Sequence, residues 1–134
     1  MKVFVDTNVI LRLFVNDDSV QEEYAHDLFR RAEHGEVDLI TGPPVLFEMA
    51  WTMMRRYKID KEHVLDYLES VVSFPGMKIT DKDIVTDAIA LARETGTEYA
   101  DSYIAVSAER AKADCVATFN EKHFARPGCD LYSF

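Results

Sequence analysis

Four side chains carry most of the chemistry this sequence could perform: Asp6, Glu48, Asp101 and Asn120. Asp6 follows Val3-Phe4-Val5, a β-rich apolar run that reads as a buried strand. An acid at the carboxyl end of such a strand sits where open parallel sheets bind ligands. Beyond it, Val9, Ile10, Leu13 and Phe14 share one helical face, so Asp6 could equally be that helix's N-cap. Glu48 is the only acid in the segment from Val45 to Met54, which is apolar almost all round and predicts a largely buried helix. A carboxylate there requires an Arg, a neighbouring helix end or a metal ion. Asp101 lies in the first turn of the small-residue segment from Tyr99 to Ala108, where compensation of the helix dipole is its other role. Glu98, three residues earlier, would be a like-charged neighbour if the helix begins early enough. Asn120 follows the apolar run Cys115-Val116-Ala117 and offers an uncharged oxygen ligand, or else a turn residue.

Two or three carboxylates gathered at one sheet edge suit Mg²⁺ or Mn²⁺, hard ions that prefer oxygen ligands and bind substrate phosphates. Such an ion activates water and stabilises charge on a phosphodiester. No Ser-His-Asp arrangement or Gly-rich phosphate loop is visible, and His26, His34, His63 and His123 lack ligand-like spacing. Metal-assisted hydrolysis is the chemistry that remains. Carboxylates held that close repel one another. Asp101→Asn is therefore expected to leave the metal-free fold intact or even to stabilise it.

The elements that must position these residues alternate. Strands are predicted at Val3–Val5, Val37–Ile40, Met77–Ile79, Cys115–Ala117 and Asp130–Tyr132. Helices are predicted at Thr7–Phe14, Gln21–His34, from Pro43-Pro44 to about Tyr57, from Lys61 to about Ser73, from a Thr80 or Asp81 cap to just before Gly96, and from Tyr99 to about Lys112. Asp60 is the expected cap of the helix at Lys61, and Gly35 the stop of the one before Val37. Strands separated by helical crossovers predict an α/β fold, a parallel sheet with helices on both faces. No linker, repeat or low-complexity stretch divides the 134 residues, so a single domain spanning 1–134 is expected.

A hydrophobic content of 48% supplies a full core, yet no apolar run approaches the roughly 20 residues of a membrane span. The start, Met1-Lys2-Val3, does not read as a signal peptide. Cys115 and Cys129 are too few for a disulfide framework and read as reduced thiols of a cytoplasmic protein. The net charge of −9 argues against broad nonspecific attachment to nucleic acid. It does not argue against a carboxylate site whose charge divalent ions offset. Basic residues group at Arg55-Arg56-Tyr57-Lys58, with others at Arg12, Arg110, Lys112, Lys122 and Arg126; solvated helix ends are their plain explanation. From Trp51 to Phe74 there is more apolar surface than one helix pair needs, which suggests contact with a second copy.

Taken together, the segments from Val3 to Leu11, Pro44 to Glu48, Ala100 to Ala105 and Thr118 to Phe124 resemble a PIN-domain ribonuclease, specifically the VapC-type toxin of toxin–antitoxin pairs. Their order and spacing carry the resemblance over nearly the whole chain. It implies a three-layer α/β/α sandwich with a central, mostly parallel sheet, cutting RNA with Mg²⁺ or Mn²⁺. It also implies a homodimer, and an antitoxin protein whose tail enters the acidic site. Asp6, Glu48 and Asp101 fall on the metal-site acids, with Asn120 beside them. Many PIN domains have Asp in place of Asn120, and often another in place of His123; the missing charge weakens the case for two metals and is compatible with one ion held by Asp6, Asp101 and Glu48, so both counts stay open. A noncatalytic RNA- or protein-binding PIN domain is the alternative, and the three retained acids oppose it. A phosphohydrolase of the haloacid dehalogenase type also begins with a strand and an Asp, but wants a second Asp where this chain has Asn8.

Overall fold

A computed structural model describes residues 1–125 and 128–134; Arg126, one of the basic residues above, lies outside them. The chain divides into two compact units, Met1–Lys82 and Asp83–Phe134.

In the first unit, three short strands form a parallel sheet in the order β1-β2-β3: β1 Lys2–Phe4, β2 Asp38–Thr41 and β3 Met77–Ile79. Val3 pairs with Leu39 and Leu39 with Met77, while Thr41 pairs with Ile79. Paired residues of parallel strands share a face, and Leu39, Met77, Thr41 and Ile79 are all buried on theirs. Thr41 is tolerated there because its hydroxyl donates to the Val5 carbonyl at 3.0 Å. The crossovers are α1 (Thr7–Leu11) and α2 (Ser19–Glu33) between the first two strands, then α3 (Pro43–Arg55) and α4 (Lys61–Val72). Right-handed crossovers in a sequential sheet place both helix pairs over one face. Accordingly α3 packs against both α1 and α4. Ile10, Leu11, Leu46, Met49, Met53, Leu65 and Leu68 fill the core between them.

Local rules set most of the helix ends. Asp18 caps α2 by accepting from the Gln21 amide at 3.0 Å, which starts the helix two residues before the expected Gln21. At its far end Gly35 takes φ +73°, with Gly35 N–H donating to Ala32 O and Glu36 N–H to Arg31 O. That is a Schellman motif. Asp60 caps α4 through the His63 amide, as expected. Helix α1 is shorter than the predicted Thr7–Phe14, because after Leu11 the chain tightens into turns, Leu13 to Ile10 O and Phe14 to Leu11 O.

Helix α3 corrects one expectation. It is not apolar all round: Val45, Leu46, Met49, Ala50 and Met53 are buried, but Pro44, Glu48, Trp51 and Arg55 form an exposed stripe at spacings of three and four. Glu48 therefore faces water rather than the core. The hydrophobicity that suggested burial belongs partly to Trp51, which is 62% exposed on the same stripe. Of the apolar surface from Trp51 to Phe74, Met53, Val71 and Val72 are buried. Tyr67 packs on Phe14 and Phe74 on Phe29, with ring centroids 4.7 and 5.1 Å apart.

The second unit is built on α5 (Lys82–Thr95), α6 (Tyr99–Arg110) and α7 (Glu121–Phe124). Val85, Ala88, Ile89 and Ala92 of α5 are buried, as are Tyr99, Ser102 and Val106 of α6 and Phe124 of α7. Arg110 joins α6 to α5 through Asp87 and, at 2.8 Å, Asp83. The predicted strands at Cys115–Ala117 and Asp130–Tyr132 reduce to a single parallel bridge, Val116 with Leu131. The apolar run at Cys115–Ala117 is three residues long and that at Leu131-Tyr132 only two, each flanked by polar residues. Among the described residues the pairing rests on Val116 N–H to Asp130 O and Tyr132 N–H to Val116 O. Helix α7 was not foreseen; it is one turn following Asn120. No helix among the described residues is long and apolar enough to cross a membrane.

Candidate active site

Asp6 stands at the carboxyl end of β1, in extended backbone (φ −82°, ψ 162°), at the N-cap position of α1. Its carbonyl accepts from the Val9 and Ile10 amides, but its carboxylate makes no capping hydrogen bond. The position is that of a cap while the side chain is not used as one. The next residue, Thr7, is 1% exposed, and its hydroxyl has no hydrogen-bond partner among the described residues. Such a buried, unpaired hydroxyl is costly. Glu48, on the outer stripe of α3, lies in the same unit.

Asp101 and Asn120 belong to the second unit, and there the structure brings a third group to them. Asp101 is in the first turn of α6, where the helix N-terminus favours a carboxylate. Glu98 is the N-cap residue of that helix rather than part of its first turn, and it makes no side-chain capping bond. The Asp101 side chain is 19% exposed, and its Oδ2 lies 2.6 Å from His123 Nδ1. Asn120 Nδ2 lies 2.9 Å from the same nitrogen. The turn before α7 is set by Thr118, whose hydroxyl accepts from the Asn120 amide at 2.9 Å. His123 is thus the site residue that sequence reasoning missed. Its spacing of three from Asn120 on one helical turn was the available signal; its partnership with Asp101, 22 residues away, was not readable locally.

The donor inventory of this trio is informative. A carboxylate only accepts and an amide nitrogen only donates, so Nδ1 cannot serve both as drawn. If Nδ1–H donates to Asp101, the Asn120 amide must turn its oxygen inward. If Nδ1 carries no proton, it accepts from the Asn120 amide nitrogen, and its lone pair then faces the Asp101 carboxylate oxygen at 2.6 Å, a repulsion that a bound cation would relieve. Within neither unit do three or more His, Cys, Asp or Glu side chains gather among the described residues.

The first turn of α6 is anchored from below. Thr95 Oγ1 lies 2.8 Å from Leu91 O, Thr97 Oγ1 2.8 Å from Thr95 Oγ1, and Ser102 Oγ 2.8 Å from Thr97 Oγ1. Each hydroxyl has one proton, so Thr95 donates to the carbonyl, Thr97 to Thr95, and Ser102 to Thr97. Ser102 is wholly buried, which fixes its neighbour Asp101 on the turn. Tyr99, which opens the helix, has its phenol pKa raised by burial, and the nearby Tyr103 adds to the effect.

A parallel sheet flanked by helices, with acids at strand and helix ends, makes this an α/β domain. The PIN domain family matches residues 3–128, and the chain belongs to that family. A comparison with curated proteins found no significant match. PIN domains are typically nucleases that depend on divalent metal ions.

Proposed function

We propose that this chain is a metal-dependent endoribonuclease acting as the VapC-type toxin of a toxin–antitoxin pair in the cytoplasm. Asp6, Glu48 and Asp101 are the carboxylates that would hold Mg²⁺ or Mn²⁺, with Asn120 beside them. The ion, when bound, supplies an acidified water and offsets charge on the phosphodiester. The chain's own residues then have separable tasks. Asp101 is held in place by His123 and by the buried Ser102 next to it. Asp6 offers a carboxylate not consumed by capping. Asn120 adds a ligand or hydrogen bond without adding repulsion.

The observation that carries this reading is the half-buried Asp101 carboxylate, drawn to 2.6 Å from a histidine that also meets Asn120. A homodimer is part of the proposal, supported by the exposed Trp51. So is an antitoxin protein whose tail covers the acids. The test is cleavage of single-stranded RNA by wild type and Asp6→Asn, with and without EDTA. Wild type with Mg²⁺ or Mn²⁺ should cut, EDTA should abolish cutting, and Asp6→Asn should lower the rate by about a hundredfold or more. Undiminished cleavage in EDTA would end the metal assignment.

A further inference from the structure

Three aromatic rings stand in water on the second unit, beside Asn120. Phe119 is 91% exposed, Phe134 76% and Tyr132 53%. Phe119 and Phe134 stack with centroids 4.8 Å apart and planes at 22°, and Tyr132 meets Phe134 edge-on at 5.2 Å. Stacking hides only the faces between the rings, so their outer surfaces remain an unfavourable apolar exposure. The local core does not need them: Phe124, five residues beyond Phe119, is the ring that is buried.

Their position points to an occupant. Phe119 directly precedes Asn120, in the turn fixed by the Thr118 hydroxyl, so it is one residue from the group that joins Asn120, His123 and Asp101. An RNA strand whose phosphodiester is held by an ion at the proposed site would pass beside residue 119, which adjoins Asn120 in the same turn. The charge balance points the same way. A net charge of −9 argues against broad electrostatic attachment to RNA. Stacking on an aromatic face requires no positive charge and accepts any base.

We propose that Phe119, Phe134 and Tyr132 form a stacking platform for an unpaired nucleobase next to the scissile phosphodiester. The proposal rests on the nuclease reading above and deepens it. It makes the substrate single-stranded or looped RNA, since bases within a duplex cannot present their faces.

The test is the full chain in EDTA, titrated against a single-stranded oligoribonucleotide carrying 2-aminopurine, whose fluorescence is quenched by stacking. Wild type should quench the probe. Phe119→Ala should weaken binding roughly 5- to 150-fold, Phe119→Leu nearly as much, and Phe119→Trp little. Affinity for duplex RNA should be alike in all four proteins. Because Phe119 is exposed, the melting temperature should not move, and circular dichroism verifies it. Equal single-strand affinities in wild type and Phe119→Ala would overturn the proposal. So would a Phe119→Ala protein that changes from dimer to monomer by light scattering while keeping its RNA affinity, because the rings would then be a protein interface. If cleavage persists with unchanged KM in Phe119→Ala, the platform falls and the nuclease stands. If the probe is quenched but no RNA is cut with any metal, the stacking surface stands and the nuclease reading falls.

Discussion

Replacing Asp101 with Asn removes a charge while keeping the side chain's shape, and the structure sets two expected effects. In the metal-free protein the Asp101 carboxylate is partnered by His123, whose side chain is 40% exposed. Asn keeps an acceptor oxygen but not the charge, so exchanging the charge-assisted hydrogen bond for a neutral one should cost up to about 1 kcal/mol after allowance for solvent screening. This reverses the expectation from charge repulsion alone, under which the substitution would be neutral or stabilising. For a chain of 134 residues, 1 kcal/mol is roughly 3–4 °C in melting temperature. With metal the effect is larger. Mn²⁺ at a hundred times its dissociation constant stabilises by about 2.7 kcal/mol, or roughly 9–10 °C. If losing the carboxylate weakens the site about a hundredfold, the same concentration gives only about 0.4 kcal/mol, one or two degrees. A Mn²⁺ titration followed by calorimetry at neutral pH reads both. Equal metal shifts in the two proteins would remove Asp101 from the site, and no shift in wild type would refute the metal reasoning altogether.

Other expectations follow from the packing. A Cβ at Gly42 would lie 2.1 Å from Thr80 Oγ1, so Gly42→Ala should destabilise by about 1–3 kcal/mol. Thr80→Ala should relieve most of that cost, since the next contact is an ordinary 3.5 Å, and a double-mutant cycle in urea should show the coupling. Ser102→Ala should lower stability by about 1–2 kcal/mol by breaking the buried hydroxyl chain, read as a lower urea midpoint at unchanged slope. Asp60 is held below its usual 3.8 chiefly by the His63 amide, and His63 is raised above 6.5 chiefly by its hydrogen bond to Asp60. The lowered acid contributes stability above 3.8 and loses it as pH falls; the raised base contributes below 6.5 and loses it as pH rises through its folded value. The pair is therefore complete between about pH 4 and 6.5. His63→Ala should lower stability inside that window and remove the decline that begins above about pH 6.5, read in a pH series of thermal melts.

The parts of the fold legible in the sequence are those fixed within a few residues. Asp18 and Asp60 cap helices because a side-chain oxygen reaches an amide three residues on, and Pro43-Pro44 suit a helix start because the first turn needs no N–H and matches the fixed φ of proline. Asp6 was placed at its strand end by the change of period after Val5. What failed depended on distant partners. Whether Cys115–Ala117 becomes a strand depends on how many hydrogen bonds a neighbour supplies, and among the described residues it received two. Glu48 was read as buried because Trp51 counts as apolar in any composition, whatever direction it faces. His123 looked isolated because its partner lies across 22 residues of chain.

The boundary near Lys82 orders events during synthesis. Residues 1–82 are contiguous and contain the whole β1-β2-β3 sheet with its four helices, so every pairing partner of the sheet is synthesised before Asp83. At about 5–20 residues per second, the segment Asp83–Phe134 follows over roughly three to ten seconds. Through that interval the nascent chain carries Asp6 and Glu48 but not yet all of Asp101, Asn120 and His123. A chain that has reached only Lys82 would hold two of the proposed ligands, Asp6 and Glu48, while Asp101, Asn120 and His123 are still to be added.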